Sequence, residues 1–395
     1  MILLTVMLMD ILTGMEFDLF VPAFPQLTNY FHATPFGIEL SLSVNFIGYC
    51  IGLFIAGELA DCYGRKFIIL SGLMIFILGS IVCLMTNSYN IFLCGRFLQG
   101  FGIAAPSILS FLIIADLYTI KKQQFLMAML NASLNTAAAL APVIGSYITL
   151  YFHWQGNFIT LLSLGIIVFL MTLFFVPHVK LSALEMKTIV QGYVEIFRSK
   201  TLLLLMIYFT LTFVPYWIFV GISPLLYMKD LGVSLKHFGY YQGSLALVFA
   251  FGSLLFGFII HRFNHKKLLS IANQIFILSL LAILYVSIWN GHNALFITIA
   301  FILFVIGQII PGNILYPLYL NLMPDAKGRL TALIQGGRLI FASIGLQVAG
   351  LFYDGSFRNI GFIVSSVILM GIFVMVYIIR QWNLINDAKA ASINQ

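Results

Sequence analysis

Three carboxylates near the start of the chain are the residues best placed to do chemistry. Asp10, Glu16 and Asp18 lie in a stretch that is otherwise almost entirely apolar. An ionisable side chain in an apolar, membrane-spanning stretch is costly, so it is usually kept for an ion or substrate pathway. Since a carboxylate gains or loses a proton as its surroundings change, the stretch GMEFDLFVPAFP at residues 14–25 predicts proton binding.

The helical spacing of these carboxylates decides whether two of them can act as a pair. At about 100° per residue, Glu16 and Asp18 point roughly 200° apart, so they cannot form a carboxylate dyad on one helix face. Asp10 and Asp18 lie roughly 80° apart, about two turns from one another. One of Glu16 and Asp18 would therefore face a cavity, while the other would meet a neighbouring helix or stay protonated.

Arg96, in the fourth apolar segment, is the partner that we expect for Asp18, which lies near the middle of a helix predicted over residues 2–28. With a rise of about 1.5 Å per residue, the two side chains differ in depth by about 5 Å, within the reach of an arginine. A nearby arginine favours the ionised carboxylate, whereas apolar burial favours the protonated acid. Switching between these environments would load and release a proton, and a static ion pair is the alternative. The predicted proton-coupling residues are Asp18, Arg96, Glu16 and Asp10.

The other candidates for proton transfer fall in predicted loops or at helix ends. Histidine is the usual titrating group near neutral pH, but all seven histidines lie there: His32, His153, His178, His237, His261, His265 and His292. The remaining carboxylates also fall in predicted loops or at helix ends. A phosphate-binding loop is excluded, because the sequence has no Gly-Lys dipeptide. We therefore expect a proton gradient as the energy source and no cofactor.

The composition places the chain among helical membrane proteins. Of its 395 residues, 61% are hydrophobic and 8% are charged, against roughly 25% charged in soluble domains. The mean hydropathy is +1.04. The four cysteines lack zinc spacing, and no nucleophile–base constellation is apparent. These observations exclude a soluble enzyme and give no support to a membrane enzyme or receptor.

The apolar runs predict twelve membrane-spanning helices in two sets of six. They cover about 2–28, 38–60, 67–86, 90–116, 125–150, 157–177, 202–227, 237–260, 268–288, 294–321, 330–353 and 358–379. The predicted organisation is an N-terminal bundle over 1–177, a cytoplasmic linker over 178–201, a C-terminal bundle over 202–380 and a cytoplasmic tail over 381–395. A two-fold repeat of this kind is typical of secondary transporters.

The basic residues predict the orientation of these helices. If both termini are cytoplasmic, the loops on the opposite side hold only Lys229, Lys236 and Arg358, and nearly all the other Lys and Arg residues fall on the cytoplasmic side. Such an asymmetry is the positive-inside pattern. It explains the pI of about 9.1 without nucleic-acid binding.

The loop after the second predicted helix resembles the signature of the major facilitator superfamily. In GELADCYGRK at residues 57–66, the positions that match the family pattern include Gly57, Asp61, Gly64, Arg65 and Lys66. Cys62 departs from the pattern, since it stands where the family usually has arginine. The resemblance implies that these residues form a cytoplasmic gate between the two bundles.

Further segments resemble, in order, the Bcr/CflA-like subgroup of twelve-helix drug:H⁺ antiporters. They are DLFVPAFP (18–25), RFLQGFG (96–102), IADL (114–117), APVIG (141–145) and ISPLLY (222–227). The resemblance favours Asp18 as the coupling acid and marks Pro142 and Gly145 as the antiporter motif. Ala138 and Ala139 stand where that motif has glycines.

This resemblance implies proton-driven export of drugs or small metabolites across the bacterial inner membrane. The partners expected are a small-molecule substrate and the lipid bilayer, with no nucleic acid, and we expect a monomer. A proton-coupled symporter that imports a nutrient, siderophore or amino acid is the alternative, because the antiporter motif is incomplete.

Polar and aromatic residues in the middle of predicted helices are the candidates for substrate binding. They are Asn45, Tyr49, Gln99, Asn131, Asn135, Tyr216, Trp217, Tyr241, Gln242, Gln308, Gln335 and Arg338. Any of them can instead be a packing contact between helices. Arg338 has three open roles: binding an anionic group of the substrate, capping by backbone carbonyls, or reaching to the cytoplasmic interface.

Overall fold

A computed structural model describes residues 1–177, 196–323 and 327–382, and its long elements are all helices. In chain order they are α1 (Ile2–Asp18), α2 (Phe24–Phe31), α3 (Pro35–Tyr63), α4 (Arg65–Met85), α5 (Tyr89–Leu117), α6 (Ile120–Phe175), α7 (Lys200–Pro224), α8 (Leu235–Ile259), α9 (His265–Tyr285), α10 (Ala294–Asn321), α11 (Lys327–Phe352) and α12 (Phe357–Arg380). Two π-helical turns, Leu225–Asp230 and Val286–Asn290, extend α7 and α9.

Among the described residues, ten helices are long and apolar enough to cross a membrane. One of them is part of α6, in which His153 has non-helical backbone angles (φ 58°, ψ −172°) that divide the stretch in two. The protein is therefore a multi-spanning helical membrane protein, and the number of twelve spans stays a prediction.

The first predicted span is wrong in one respect, because residues 2–28 do not form one continuous helix. α1 ends at Asp18, a 3₁₀ turn covers Val21–Ala23, and α2 then begins at Phe24. Proline has no backbone N–H to donate, so it is favoured at a helix start and disfavoured inside a helix. Pro22 and Pro25 each lie at such a start. Asp18 is therefore the last residue of α1 and not a mid-helix residue.

The described chain forms two compact units. The first comprises Met1–Leu184 and Gly221–Ala246, and the second comprises Glu185–Val220 and Leu247–Gln395. Most of the predicted linker (178–201) and of the predicted tail (381–395) lies outside the described residues. The predicted domain boundaries therefore stay a prediction.

α5 is the helix around which much of the first unit is built. It packs along α3 and α4, and it also contacts α1, which lies against α6. Its buried face is rich in small residues such as Gly95, Gly100 and Gly102. Small side chains let helix backbones approach closely, so the polar residues on α5 come within hydrogen-bonding reach of neighbouring helices.

The second unit is packed through aromatic and aliphatic side chains. α9 lies against α10 and α12, and Phe276 on α9 contacts Phe304 on α10 with ring centroids 5.5 Å apart. Phe219 of α7 stacks on Phe301 of α10 with centroids 4.1 Å apart. These contacts fix α7 and α10 side by side, which positions the polar residues that both helices carry.

Candidate functional site

A buried ion pair lies at the centre of the first unit. Arg96 Nη1 on α5 is 2.9 Å from Glu16 Oε1 on α1, and both side chains are fully buried. The Asn45 amide on α3 donates to the same Glu16 oxygen at 2.8 Å and to the Arg96 carbonyl oxygen at 2.9 Å. Arg96 Nη1 also donates to Gln99 Oε1. Three helices are therefore tied together by one charged network.

The surroundings of the guanidinium extend this network to α4. Gln99 Nε2 donates to Ser80 Oγ at 2.8 Å, and Arg96 Cζ lies 4.0 Å from the centre of the Phe20 ring. Further hydrogen bonds to a fully buried charge pair offset part of the cost of burying it, although Glu16 Oε2, Arg96 Nε and Arg96 Nη2 have no hydrogen-bond partner among the described residues. Gln99 provides such a bond. Sequence reasoning missed Ser80, because a single serine in an apolar helix carries no pattern of its own.

The predicted pairing of Arg96 with Asp18 is wrong, since Arg96 pairs with Glu16. The helical spacing explains the difference: Glu16 and Asp18 point roughly 200° apart, so a helix that turns Glu16 toward α5 turns Asp18 away. Asp18 is 6% exposed. Its Oδ1 atom is buried and has no hydrogen-bond partner within the part of the chain that the structure describes.

Asp10 makes a second contact between α1 and α5. Ser110 Oγ donates to Asp10 Oδ1 at 2.8 Å, and Asp10 is fully buried. Close by in sequence, the Ser107 hydroxyl is 2.7 Å from the Tyr49 hydroxyl of α3. Two of the three carboxylates of α1 thus reach α5, while Asp18 does not take part in these contacts.

The predicted substrate-binding residues of the first unit fall into different environments. Asn45 and Gln99 are fully buried in the ion network, where they serve the charged pair. Asn131 and Asn135 are exposed on α6. Gln242 is 1% exposed, and neither polar atom of its side chain has a hydrogen-bond partner among the described residues.

In the second unit, predicted substrate-binding residues cluster where α7, α10 and α11 meet. Arg338 donates to Gln335 and lies over the ring of Phe213, 4.3 Å from its centre. Gln308 donates to the backbone carbonyl of Thr212. On the next turn of α7, the Trp217 ring lies 5.9 Å from those of Phe213 and Tyr216. Tyr241 belongs to the first unit, where its ring lies 5.6 Å from that of Tyr227.

The predicted cytoplasmic gate motif forms the junction of α3 and α4. Gly64 has φ of 90°, a left-handed conformation that favours glycine, and α4 begins directly after it. Arg65 Nε lies 3.2 Å from Asp116 Oδ2 at the end of α5, and Lys66 Nζ donates to the Leu173 carbonyl oxygen at 2.7 Å. The side chain of Asp61 lies outside the described residues. The IADL segment was the sequence signal for Asp116.

The predicted antiporter motif lies in the first part of α6. A Cβ atom at Gly145 would collide with the carbonyl oxygen of Leu19, so only glycine permits this contact with the end of α1. Pro142 lies inside the helix, and Ser146 Oγ donates to its carbonyl oxygen at 2.8 Å. Next to the motif, the hydroxyl of Tyr147 is hydrogen-bonded to that of Tyr240. Sequence reasoning missed this tyrosine pair.

Comparisons with known proteins agree on one family. The family model described as Major Facilitator Superfamily matches residues 6–346. A multidrug resistance protein MdtL of Shewanella sp. (strain ANA-3) is 27% identical over 277 residues, which is 70% of each chain. A bicyclomycin resistance protein homologue of Haemophilus influenzae is 27% identical over 281 residues, 70% of this chain and 71% of that protein.

Solved structures resemble the whole described fold. The crystal structure of a D-xylose–proton symporter superposes with a TM-score of 0.74 at 15% identity, covering 95% of this chain and 96% of that one. A bacterial homologue of the human lysosomal transporter Spinster gives a TM-score of 0.71 at 16% identity, with 99% and 96% covered. At these identities the likeness concerns the fold alone.

Proposed function

The chain belongs to the Major Facilitator Superfamily, and on that premise we propose that it exports drugs or small metabolites in exchange for protons across the bacterial inner membrane. It has the major facilitator fold, and the family consists of transporters. The relatives named for multidrug and bicyclomycin resistance support export of this kind. The single observation that supports proton coupling most strongly is the set of carboxylates buried on α1.

The three carboxylates support different roles in this mechanism. Glu16 is bound by Arg96 and Asn45, so it holds α1 against α3 and α5. Asp18 has a buried carboxylate oxygen that accepts no hydrogen bond from the described residues, and it is the carboxylate that we assign to the coupling proton. Asp10, bound through one oxygen to Ser110, is the second proton-binding candidate.

Alternating access requires that the coupling acid changes its surroundings during the cycle. Asp18 lies at the end of α1, directly before the 3₁₀ turn Val21–Ala23. The adjacent residue Leu19 lies against Gly145 of the antiporter motif. A shift of α6 along this contact would move the end of α1 and with it Asp18, which links proton binding to helix movement.

We further propose twelve membrane spans, formed by α3–α5, α7–α12, the two parts of α6, and α1 with α2. Both termini would be cytoplasmic, a monomer would suffice for transport, and the substrate would bind among the polar and aromatic residues of α7, α10 and α11. The positive-inside pattern supports this orientation.

The decisive experiment measures proton release from acidified inverted vesicles on addition of compounds from a drug panel. We expect substrate-dependent proton release with the unmodified protein and none with Asp18→Asn. The control is Asp354→Asn. The Asp354 carboxylate accepts a hydrogen bond from Ser356 in an exposed loop, so this variant should retain proton release. Proton release that survives Asp18→Asn would exclude Asp18 as the coupling acid.

The direction of coupling is read from the same vesicles. An exporter accumulates the compound inside inverted vesicles as protons leave. Compound and protons that leave together would indicate the symporter instead. No response to the panel under any gradient would contradict the assignment to drug export.

A further inference from the structure

A close-packed seam joins α6 to α8 within the first unit. A Cβ atom at Gly239 would lie 2.7 Å from Ser146 Oγ and 3.0 Å from Val143 Cα. One at Gly243 would lie 2.7 Å from Val143 Cγ2. Glycine lets two helices approach to distances that larger side chains would prevent. We call these four residues, Val143, Ser146, Gly239 and Gly243, the α6–α8 seam.

A pair of tyrosines bridges the two helices at one edge of the seam. The Tyr147 hydroxyl of α6 is hydrogen-bonded to the Tyr240 hydroxyl of α8, and the two rings meet edge-on with their centroids 6.4 Å apart. Tyr240 is 50% exposed. Among the described residues, no other side-chain hydrogen bond joins α6 to α8. The tyrosine pair is therefore the polar contact that holds these two helices together.

A buried amide lies beside the same seam. Gln242 is 1% exposed, and neither polar atom of its side chain has a hydrogen-bond partner among the described residues. A buried amide without partners destabilises the arrangement that buries it, because it has given up its hydrogen bonds to water. The closed seam therefore carries a cost that separation of α6 and α8 would relieve.

The helical spacing of α8 shows what encloses this amide. At about 100° per residue, Gln242 lies roughly 80° from the centre of the face that carries the seam glycines, and Tyr240 lies roughly 80° away on the other side. The rings of Phe238 and Tyr241, which form the next face beyond Gln242, lie 6.1 Å and 5.6 Å from the Tyr227 ring. Gln242 is thus enclosed between α6 and the π-helical turn that extends α7, whereas Tyr240 lies at the exposed edge.

α6 lies between the seam and the end of α1. On α6, Gly145 approaches the Leu19 carbonyl oxygen, and it lies roughly 130° from the centre of the face formed by Val143 and Ser146. A change in the distance between α6 and α8 therefore acts on the helix that contacts Leu19, the residue next to Asp18.

We propose that the α6–α8 seam is a gate that the Tyr147–Tyr240 hydrogen bond holds closed and that hydration of Gln242 helps to open. This inference rests on the proposed transport function, because alternating access requires a helix contact that opens on one side of the membrane. The two contributions oppose each other, so the closed and open forms lie close in free energy. Binding of a proton or a compound can then shift the balance between them.

The test places a thiol in the seam by Val143→Cys, in the full-length chain purified in detergent. A cationic methanethiosulfonate reagent reaches this thiol when the seam opens, and mass spectrometry of the peptide that contains position 143 gives the rate. Gln242→Leu should slow the modification about tenfold, because the closed form no longer buries an amide. Tyr240→Phe should speed it about fivefold, because the closed form loses a hydrogen bond.

An internal reference and a matched variant separate gating from general destabilisation. The native thiol of Cys83 is buried elsewhere in the first unit, so it reports unfolding and should stay unmodified throughout. Tyr151→Phe removes the hydroxyl of an exposed tyrosine one turn along α6 and should leave the rate unchanged. Tyr147→Phe, alone or with Tyr240→Phe, should give the same acceleration as Tyr240→Phe, because each variant removes the same bond.

Four results would overturn the gate. They are a thiol that reacts in none of the variants, a rate that Gln242→Leu leaves unchanged or raises, tyrosine effects that add in the double variant, and an acceleration accompanied by modification of Cys83. A general loss of stability would speed the reaction in every variant. The opposite signs expected for Gln242→Leu and Tyr240→Phe therefore distinguish a gate from a purely structural contact.

The thiol assay needs neither a compound nor a proton gradient, so its outcome is separate from that of the transport assay. A seam that responds as expected in a protein that releases no protons would refute proton-coupled export and leave the gate standing. A protein that exchanges protons for compounds while its seam ignores these substitutions would refute the gate alone.

Discussion

Replacement of Arg96 by methionine is expected to destabilise the first unit strongly. Methionine keeps an unbranched side chain but leaves Glu16, whose side chain is fully buried, without its cation at 2.9 Å. Gln99 also loses the guanidinium donor, and the Phe20 ring loses the charge 4.0 Å from its centre. Breaking a buried ion pair by removal of one partner costs about 3–5 kcal/mol.

A second substitution, Glu16→Gln, completes a double-mutant cycle that tests the pairing of Glu16 with Arg96. Glu16→Gln keeps the shape of the side chain and can still accept the Asn45 hydrogen bond, and with Arg96→Met it removes both charges together. Because replacing both members of a buried pair is often close to neutral, the double variant should be more stable than the sum of the single variants predicts. We expect a coupling free energy of about 2 kcal/mol or more.

The measurement is reversible unfolding of the full-length chain in mixed micelles, followed by tryptophan fluorescence. Asp18→Asn serves as the matched control, because Asp18 is adjacent on α1 yet makes no ion pair with Arg96. Its coupling to Arg96→Met should lie below about 0.5 kcal/mol. An Asp18 coupling as large as that of Glu16 would refute the assignment of Arg96 to Glu16.

Two further predictions concern the motifs that resemble those of the family. Gly145→Ala should lower the free energy of unfolding by about 1–3 kcal/mol, because its Cβ would meet the carbonyl of Leu19. Gly257→Ala, where a Cβ meets no atom within 4 Å, should not lower that free energy, because alanine is the better helix former. Equal losses of stability in thermal melts would contradict the close approach. At the junction of α3 and α4, a double-mutant cycle of Arg65→Gln and Asp116→Asn should give a coupling free energy of about 1 kcal/mol. A value near zero would show that their 3.2 Å contact contributes no stability.

Much of the fold follows from the sequence, because hydropathy reports burial in a membrane directly. Most predicted spans match a described helix within a few residues, and the Pro-rich end of the first span marks where α1 gives way to α2. The division of α6 at His153 falls in the gap predicted between the apolar runs 125–150 and 157–177.

The contacts between the site residues were harder to predict than the residues themselves. Charge alone identifies Asp10, Glu16, Asp18 and Arg96, since so few charged residues lie in apolar segments. Which acid meets the arginine depends on the rotation of α1 against α5, and spacing along one helix leaves that rotation open. The role of Asn45 was equally hard to predict, because an amide that can bind a substrate can also donate to an ion pair.

The charged network has a consequence for how this protein diversifies. Codons in the first third of the gene encode Glu16, Asn45, Arg96 and Gln99, whereas the predicted substrate-binding residues of α7, α10 and α11 are encoded beyond residue 200. Selection for a new exported compound can therefore act on the later codons and leave the packing of the ion pair intact. Chimaeric genes that join residues 1–177 to the second half of a relative should retain that ion pair while acquiring the relative's compound profile.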